Sequence, residues 1–181
     1  APPDAFFPGG QVWGFPPPHP VQVRASGYRD LRAALRHHLR VASLLRIDHV
    51  LGFYRIYGFP WRPQRNAEFL PLTEEEAKAR TGGPLPHYIE HADDTPEHCA
   101  ANRAAGDKYL RMIQDAAQGA EVVGEDLGAV PDYVRPHLLE RGIPGFKVPQ
   151  WEVTPDDKAI SGLTYDECSF TTYATHDHPP M

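Results

Sequence analysis

The sequence predicts an α/β fold built on parallel strands, and three observations carry that prediction. Strand-like and helix-like stretches alternate along the chain, the pattern of βαβ units. The runs 42–47 and 120–124 are short, largely apolar and bounded by turn residues, as buried strands are. Three of the four strands so inferred run into a carboxylate: Asp48, Glu125 and Asp177. In a parallel sheet those strand tips share one edge, where α/β barrels keep their chemistry.

Taken in order, residues 1–27 carry Pro2-Pro3, Pro8-Gly9-Gly10, Pro16-Pro17-Pro18 and Pro20, which exclude a long helix and predict an irregular loop. Phe6, Phe7, Trp13 and Phe15 punctuate it, either pinning the loop to a core or serving a site. The chain opens on Ala1-Pro2-Pro3 with no start methionine, so the expectation is a fragment of a longer protein. From Tyr28 to about Arg40, Leu31, Leu35 and Leu39 recur every fourth residue, predicting a helix that starts near Ser26 or Gly27. It feeds the strand ending at Asp48, in which Arg46 and Asp48 emerge on one face and Leu45 and Ile47 on the other. Phe53, Tyr54, Tyr57, Phe59 and Trp61 follow within nine residues; such rings form flat platforms for a ligand such as a sugar, or pack on one another.

Residues 62–94 are polar and broken by Pro and Gly, apart from a short helix that Thr73 and Glu76 open as a capping box. Thr95-Pro96 starts a second helix that runs to about Gln118. Residues 53–119 thus form a long loop and helical insertion within a single domain, 1–181. Ala120 to Glu125 is a strand, Asp126-Leu127-Gly128 a turn, and Pro131 to Arg141 a helix stopped by Gly142. Residues 145–151 make a further strand, limited by Pro149, and Ser169 to Thr175 a last one that delivers His176 and Asp177.

Composition narrows the function. A formal charge of -6 and the lack of a Lys/Arg cluster argue against nucleic acid. No apolar run reaches membrane-spanning length, so no membrane partner is expected. Cys99 and Cys168 lack the spacing of a redox or metal motif and read as thiols of a reducing compartment, the cytoplasm. Taken singly, each strand-end acid reads as a turn cap, Asp48 with Arg46 as its ion-pair partner. Taken together they read as a site, because like charges brought together repel and shift each other's protonation, a cost that packing does not require.

Four patches then carry a resemblance along the whole chain: Ala1-Pro2-Pro3-Asp4 with Gly10-Gln11-Val12-Trp13-Gly14; Arg46-Ile47-Asp48-His49-Val50-Leu51-Gly52; Gly124-Glu125-Asp126-Leu127-Gly128; and Thr175-His176-Asp177. In this order and spacing the chain resembles the 4-α-glucanotransferases called amylomaltases or disproportionating enzymes, glycoside hydrolase family 77 of the α-amylase clan. The resemblance implies a (β/α)8 TIM barrel, of which this chain would span from after the third strand to the end of the seventh. It implies Asp48 as nucleophile, Glu125 as general acid/base and Asp177 as transition-state stabiliser. Arg46 and His176 would hold the sugar next to the nucleophile; Gln11 and Trp13, with Asp4 a weaker candidate, would contact bound glucan from a loop over the site. Maltooligosaccharides and α-1,4-glucans are the implied substrates, with no cofactor and no metal. In such a retaining site repulsion from Asp48 and Asp177 is expected to keep Glu125 protonated.

The sequence departs from the family after Asp177, where His178-Pro179-Pro180 stands in place of the usual Asn and Asp, and the segment Arg62 to Asp94 matches no family pattern. Other readings are an α-glucan hydrolase of the same clan, a barrel metallohydrolase using His176 and His178, with His49 joining them, and a non-catalytic glucan-binding remnant. The metallohydrolase gives Glu125 and the Arg46-Asp48 pair no purpose, and the remnant need not keep all three carboxylates.

Overall fold

The computed structural model describes residues 1–4 and 7–177. Its helices are α1 Pro20–Ala25, α2 Arg29–His38, α3 Asn66–Phe69, α4 Glu74–Thr81, α5 Pro96–Ala117 and α6 Val134–Glu140. Its strands are β1 Leu44–Ile47, β2 Ile56–Gly58, β3 His87–Ile89, β4 Glu121–Gly124, β5 Gly145–Lys147 and β6 Ser169–Thr171. The chain forms two compact units, Ala1–Arg29 with Gly52–Gly106, and Asp30–Leu51 with Asp107–Met181, so the division falls inside α5.

In the first unit β2 and β3 pair antiparallel, with Tyr57 opposite Tyr88. The predicted irregular loop over 1–27 contains a helix after all: Pro20 stands at the first helical position of α1, where its missing N–H costs nothing. Neither β2 nor β3 was legible as a strand, since three residues are too few to show an alternation. The aromatics after β1 largely pack on each other. Tyr57 meets Tyr88 and Phe59 edge-on at 5.0 and 5.4 Å, and Trp61 stacks on Phe69 at 4.2 Å with the rings 2° from parallel. Tyr54 is buried against Gly106, where any Cβ would stand 2.4 Å from its ring. The capping box forms as predicted: the Thr73 hydroxyl accepts from the Glu76 N–H, the Glu76 carboxylate accepts from the Thr73 N–H at 2.8 Å, and Gly82 closes α4 in the left-handed region at φ 79°.

The second unit holds a four-stranded sheet in the order β1-β4-β5-β6, parallel throughout. The chain is thus α/β with a parallel sheet, as its alternating pattern predicts. β4 is buried from Val122 to Gly124, beneath a core of Leu110, Ile113, Val134, Leu138 and Ile143. α6 ends in a Schellman motif, the N–H groups of Gly142 and Ile143 bonding to the carbonyls of Leu139 and Leu138, with Gly142 at φ 64°. Asp107 on α5 accepts from Arg111 and Arg141 and lies 3.1 Å from Nε2 of the buried His137, tying α5 to α6.

Two strands are shorter than predicted. β5 stops at Lys147 because Pro149 cannot donate to a ladder and the Val148 carbonyl turns back to accept from Trp151. β6 stops at Thr171 because the Thr172 hydroxyl donates to the Ala174 carbonyl and bends the chain. Asp177 is therefore carried by a loop and not by a strand tip.

Candidate active site

β1 and β4 are in register with Ile47 opposite Gly124, so Asp48 and Glu125, the next residue on each, leave the sheet at one level. The rung above is kept by backbone bonds: the Glu125 N–H donates to the Ile47 carbonyl at 2.9 Å and the Glu125 carbonyl accepts from the Val50 N–H at 3.0 Å. A turn with His49 at φ 45°, uncommon for a residue with a side chain, aims the His49 N–H at Glu125 Oε2, 3.0 Å away.

Arg46 sits at the centre. Its Nη2 stands 2.8 Å from Asp48 Oδ1, 3.1 Å from Glu125 Oε2 and 3.3 Å from His176 Nδ1. One nitrogen therefore reaches both carboxylates, so their facing oxygens are no farther apart than those two contacts together allow. His176 Nε2 lies 3.3 Å from Asp177 Oδ1 and 3.9 Å from Asp48 Oδ1. Arg46, Asp48, Glu125, His176 and Asp177, scattered over the sequence, are brought into one connected cluster.

Their environments differ. The Glu125 side chain is 8% exposed, that of Asp48 60% and that of Asp177 67%. Burial pushes the Glu125 carboxyl above its ordinary value; the His49 N–H opposes this, Asp48 adds to it by hydrogen bond and by charge, and Arg46 opposes it by charge. The direction is the one expected from sequence, but its largest cause is removal from water, where sequence reasoning assigned it to repulsion by Asp48 and Asp177.

In the other unit, Trp13 Nε1 donates to Gln11 Oε1 at 3.2 Å, and half of Trp13 is exposed. Gln11 is held by backbone bonds to Ala1 in both directions. Asp4 accepts from the Phe7 N–H at 2.7 Å and so closes a turn. Phe6 and His178-Pro179-Pro180 lie outside the described residues. Among the described residues no group of three His, Cys, Asp or Glu is gathered closely enough to hold a metal ion.

A sequence profile described as 4-alpha-glucanotransferase matches residues 1–181. The chain belongs to the 4-alpha-glucanotransferase family. It is 31% identical to the 4-alpha-glucanotransferase of Mycobacterium tuberculosis over 99% of its own length and 21% of that protein. It is 30% identical to that of Chlamydia caviae over 98% of this chain and 28% of that one. Among solved structures, amylomaltase from Corynebacterium glutamicum superposes with a TM-score of 0.68 at 31% identity, covering 99% of this chain and 22% of that one. Amylomaltase from Streptococcus agalactiae, solved in complex with acarbose, shares the fold with a TM-score of 0.66 at 19% identity, over 98% and 30% of the two chains. The chain thus spans between a fifth and a third of the length of these relatives.

Within this family member, sequence reasoning missed three groups at the site. The His49 N–H left no signal, because a backbone donor is set by a turn and not by a residue type. Phe146, whose ring centroid lies 5.4 Å from the Arg46 guanidinium carbon, read as one more strand residue. Asp126 read as a turn residue, yet it is 3% exposed and accepts from the Phe146 N–H at 2.6 Å. An acid just past a strand, followed by Leu127 and Gly128, was the one hint available.

Proposed function

We propose that the protein to which this chain belongs is a retaining 4-α-glucanotransferase that moves α-1,4-glucan segments between maltooligosaccharides. The observation that carries the reading is the shared nitrogen of Arg46, which keeps an exposed Asp48 and a buried Glu125 side by side. Retaining carboxyl pairs stand about 5–5.5 Å apart, whereas inverting pairs need about 6.5–9.5 Å to admit a water. The bridged pair supports the closer class.

Glu125, pushed toward its protonated form by burial, gives its proton to the leaving glycosidic oxygen as an Asp48 oxygen attacks the anomeric carbon. The bond to the leaving sugar breaks and a glucosyl ester forms on Asp48. Glu125, now a carboxylate, takes the proton of an incoming sugar 4-hydroxyl; that oxygen attacks the same carbon and Asp48 departs. Asp177 stabilises the positive charge that develops on the sugar ring, and Arg46 and His176 hold that sugar beside the nucleophile. Gln11, Trp13 and, more weakly, Asp4 are read as glucan contacts, supported by the exposed indole that Gln11 orients.

Residues 1–181 are read as part of one catalytic (β/α)8 barrel, from after its third strand to the end of its seventh, with 53–119 as an insertion after the nucleophile strand. The parallel order of the four strands and the partial coverage of the relatives support this. The two free thiols support a cytoplasmic setting, and no helix among the described residues is long and apolar enough to cross a membrane.

The test is to give the full-length protein maltotriose alone. Glucose together with oligosaccharides longer than the substrate is expected. Products only shorter than maltotriose would replace the reading with a hydrolase of the same clan.

A further inference from the structure

The sheet between β4 and β5 is held by very little backbone pairing. Gly124 opposite Gly145 is its one register pair, with the Gly124 N–H donating to the Pro144 carbonyl. Beyond that point β4 turns away, because the Glu125 backbone is already committed to Ile47 and Val50. The Asp126 carboxylate takes over the next rung. Its Oδ1 accepts the buried Phe146 N–H at 2.6 Å, while Oδ2 accepts from Arg135 Nε at 2.9 Å and the Asp126 carbonyl from Arg135 Nη2 at 3.3 Å. A Cβ on Gly145 would stand 2.8 Å from both carboxylate oxygens, so a glycine there is what lets the carboxylate in.

The residue fixed in this way is 4% exposed, and its ring is braced edge-on by Phe170 at 5.1 Å. The Arg46 guanidinium lies over that ring, within the distance at which an aromatic face attracts a cation. Arg46 faces two carboxylates whose oxygens it could meet from many rotamers, since long side chains keep much freedom unless something packs against them. Phe146 supplies that packing from below.

We propose that Phe146, anchored through its own N–H by Asp126, is a positioning residue of the active site. Its ring holds the Arg46 guanidinium where one nitrogen serves Asp48, Glu125 and His176 together. This rests on the glucanotransferase reading for what those groups do, but the platform itself is a statement about Phe146 and Arg46. A pinned Arg46 keeps its charge beside Glu125, so loosening it removes a pull toward the ionised form and moves Glu125 deprotonation to higher pH.

The experiment uses the full-length enzyme with maltotriose and compares Phe146→Leu, Phe146→Ile and Phe146→Tyr. The two aliphatic variants keep an apolar residue on the strand but lose the ring face; Tyr keeps it. Expected are a fall in kcat of about tenfold for Leu and Ile, a smaller change in KM, and an alkaline limb of the pH profile displaced upward, with Tyr restoring both rate and limb. A residue that only filled space would lower the yield of folded protein without moving the limb. The proposal is overturned if either aliphatic variant that folds keeps the parent kcat and limb, or if Tyr fails to restore them in a folded enzyme. Should one aliphatic variant not fold, the other decides. Absence of transfer by the parent enzyme itself would instead count against the glucanotransferase reading.

Discussion

Replacing Glu125 by Gln separates the proton on this side chain from its packing. Glu125 Oε2 accepts from the His49 N–H at 3.0 Å and faces Arg46 Nη2 at 3.1 Å, so an amide oxygen in the same place keeps both partners, and the amide NH2 donates toward Asp48. Only the transferable proton is lost. A positioned general acid contributes about 10²–10⁴-fold, so transfer from maltotriose should fall by that factor and the alkaline limb of the profile should vanish. Stability should move the opposite way. Burial raises the folded carboxyl above its unfolded value, so between the two the folded state binds more protons and loses stability as pH rises. That loss is absent below the unfolded value of about 4.3 and complete above the folded one. Gln escapes it. The variant should therefore unfold later than the parent at about pH 8. The gap should close as pH falls toward about 4. Denaturant unfolding at both pH values, beside a product assay, measures this. A Gln variant that transfers within threefold of the parent, or whose stability difference does not change with pH, would refute the reasoning.

Three further outcomes are expected. EDTA should leave transfer intact; loss of activity that zinc restores would shift the chemistry to a metallohydrolase using His176 and His178. Thr73→Ala removes the hydroxyl that caps α4 at an exposed site and should cost about 1 kcal/mol with kcat unchanged, read by denaturant midpoint and by assay. Gly145→Ala should destabilise by about 1–3 kcal/mol through the contact of its methyl with Asp126; a variant as stable as the parent would mean that Asp126 has room to move.

Much of the second unit was legible because its signals are local. Leu31, Leu35 and Leu39 fall on one turn-by-turn stripe, the Asp48 and Glu125 strands are short apolar runs, and α6 is stopped by a glycine that adopts the left-handed conformation its position requires. Placing parallel strand ends on one edge brought Asp48 and Glu125 together, with Arg46 on the same strand face as Asp48; Asp177 reaches them from a loop beyond β6 and not from a strand end, and His176 was marked by the family resemblance. What escaped was set by pairing and not by residue type. β2 and β3 exist because Tyr57 finds Tyr88 across thirty residues of chain, and no three-residue stretch announces a distant partner. α1 was hidden by its own proline, which reads as a breaker until it is seen to stand at a helix start. The cause of the Glu125 displacement was misjudged because charges can be counted in a sequence, whereas depth cannot.

The Ile47–Gly124 register also makes the sheet a ruler. Neighbouring strands lie about 4.8 Å apart, and the two acids each sit one residue past that rung, so hydrogen-bond spacing sets where their backbones stand and Arg46 sets how their carboxylates face each other. The chain leaves this ladder after Val50, whose N–H bonds to the Glu125 carbonyl, and rejoins it at Glu121, so the intervening stretch needs no particular length for the two strand ends to stay paired. An insertion there can change in size without moving the two strand ends, because the backbone ladder between β1 and β4 holds them.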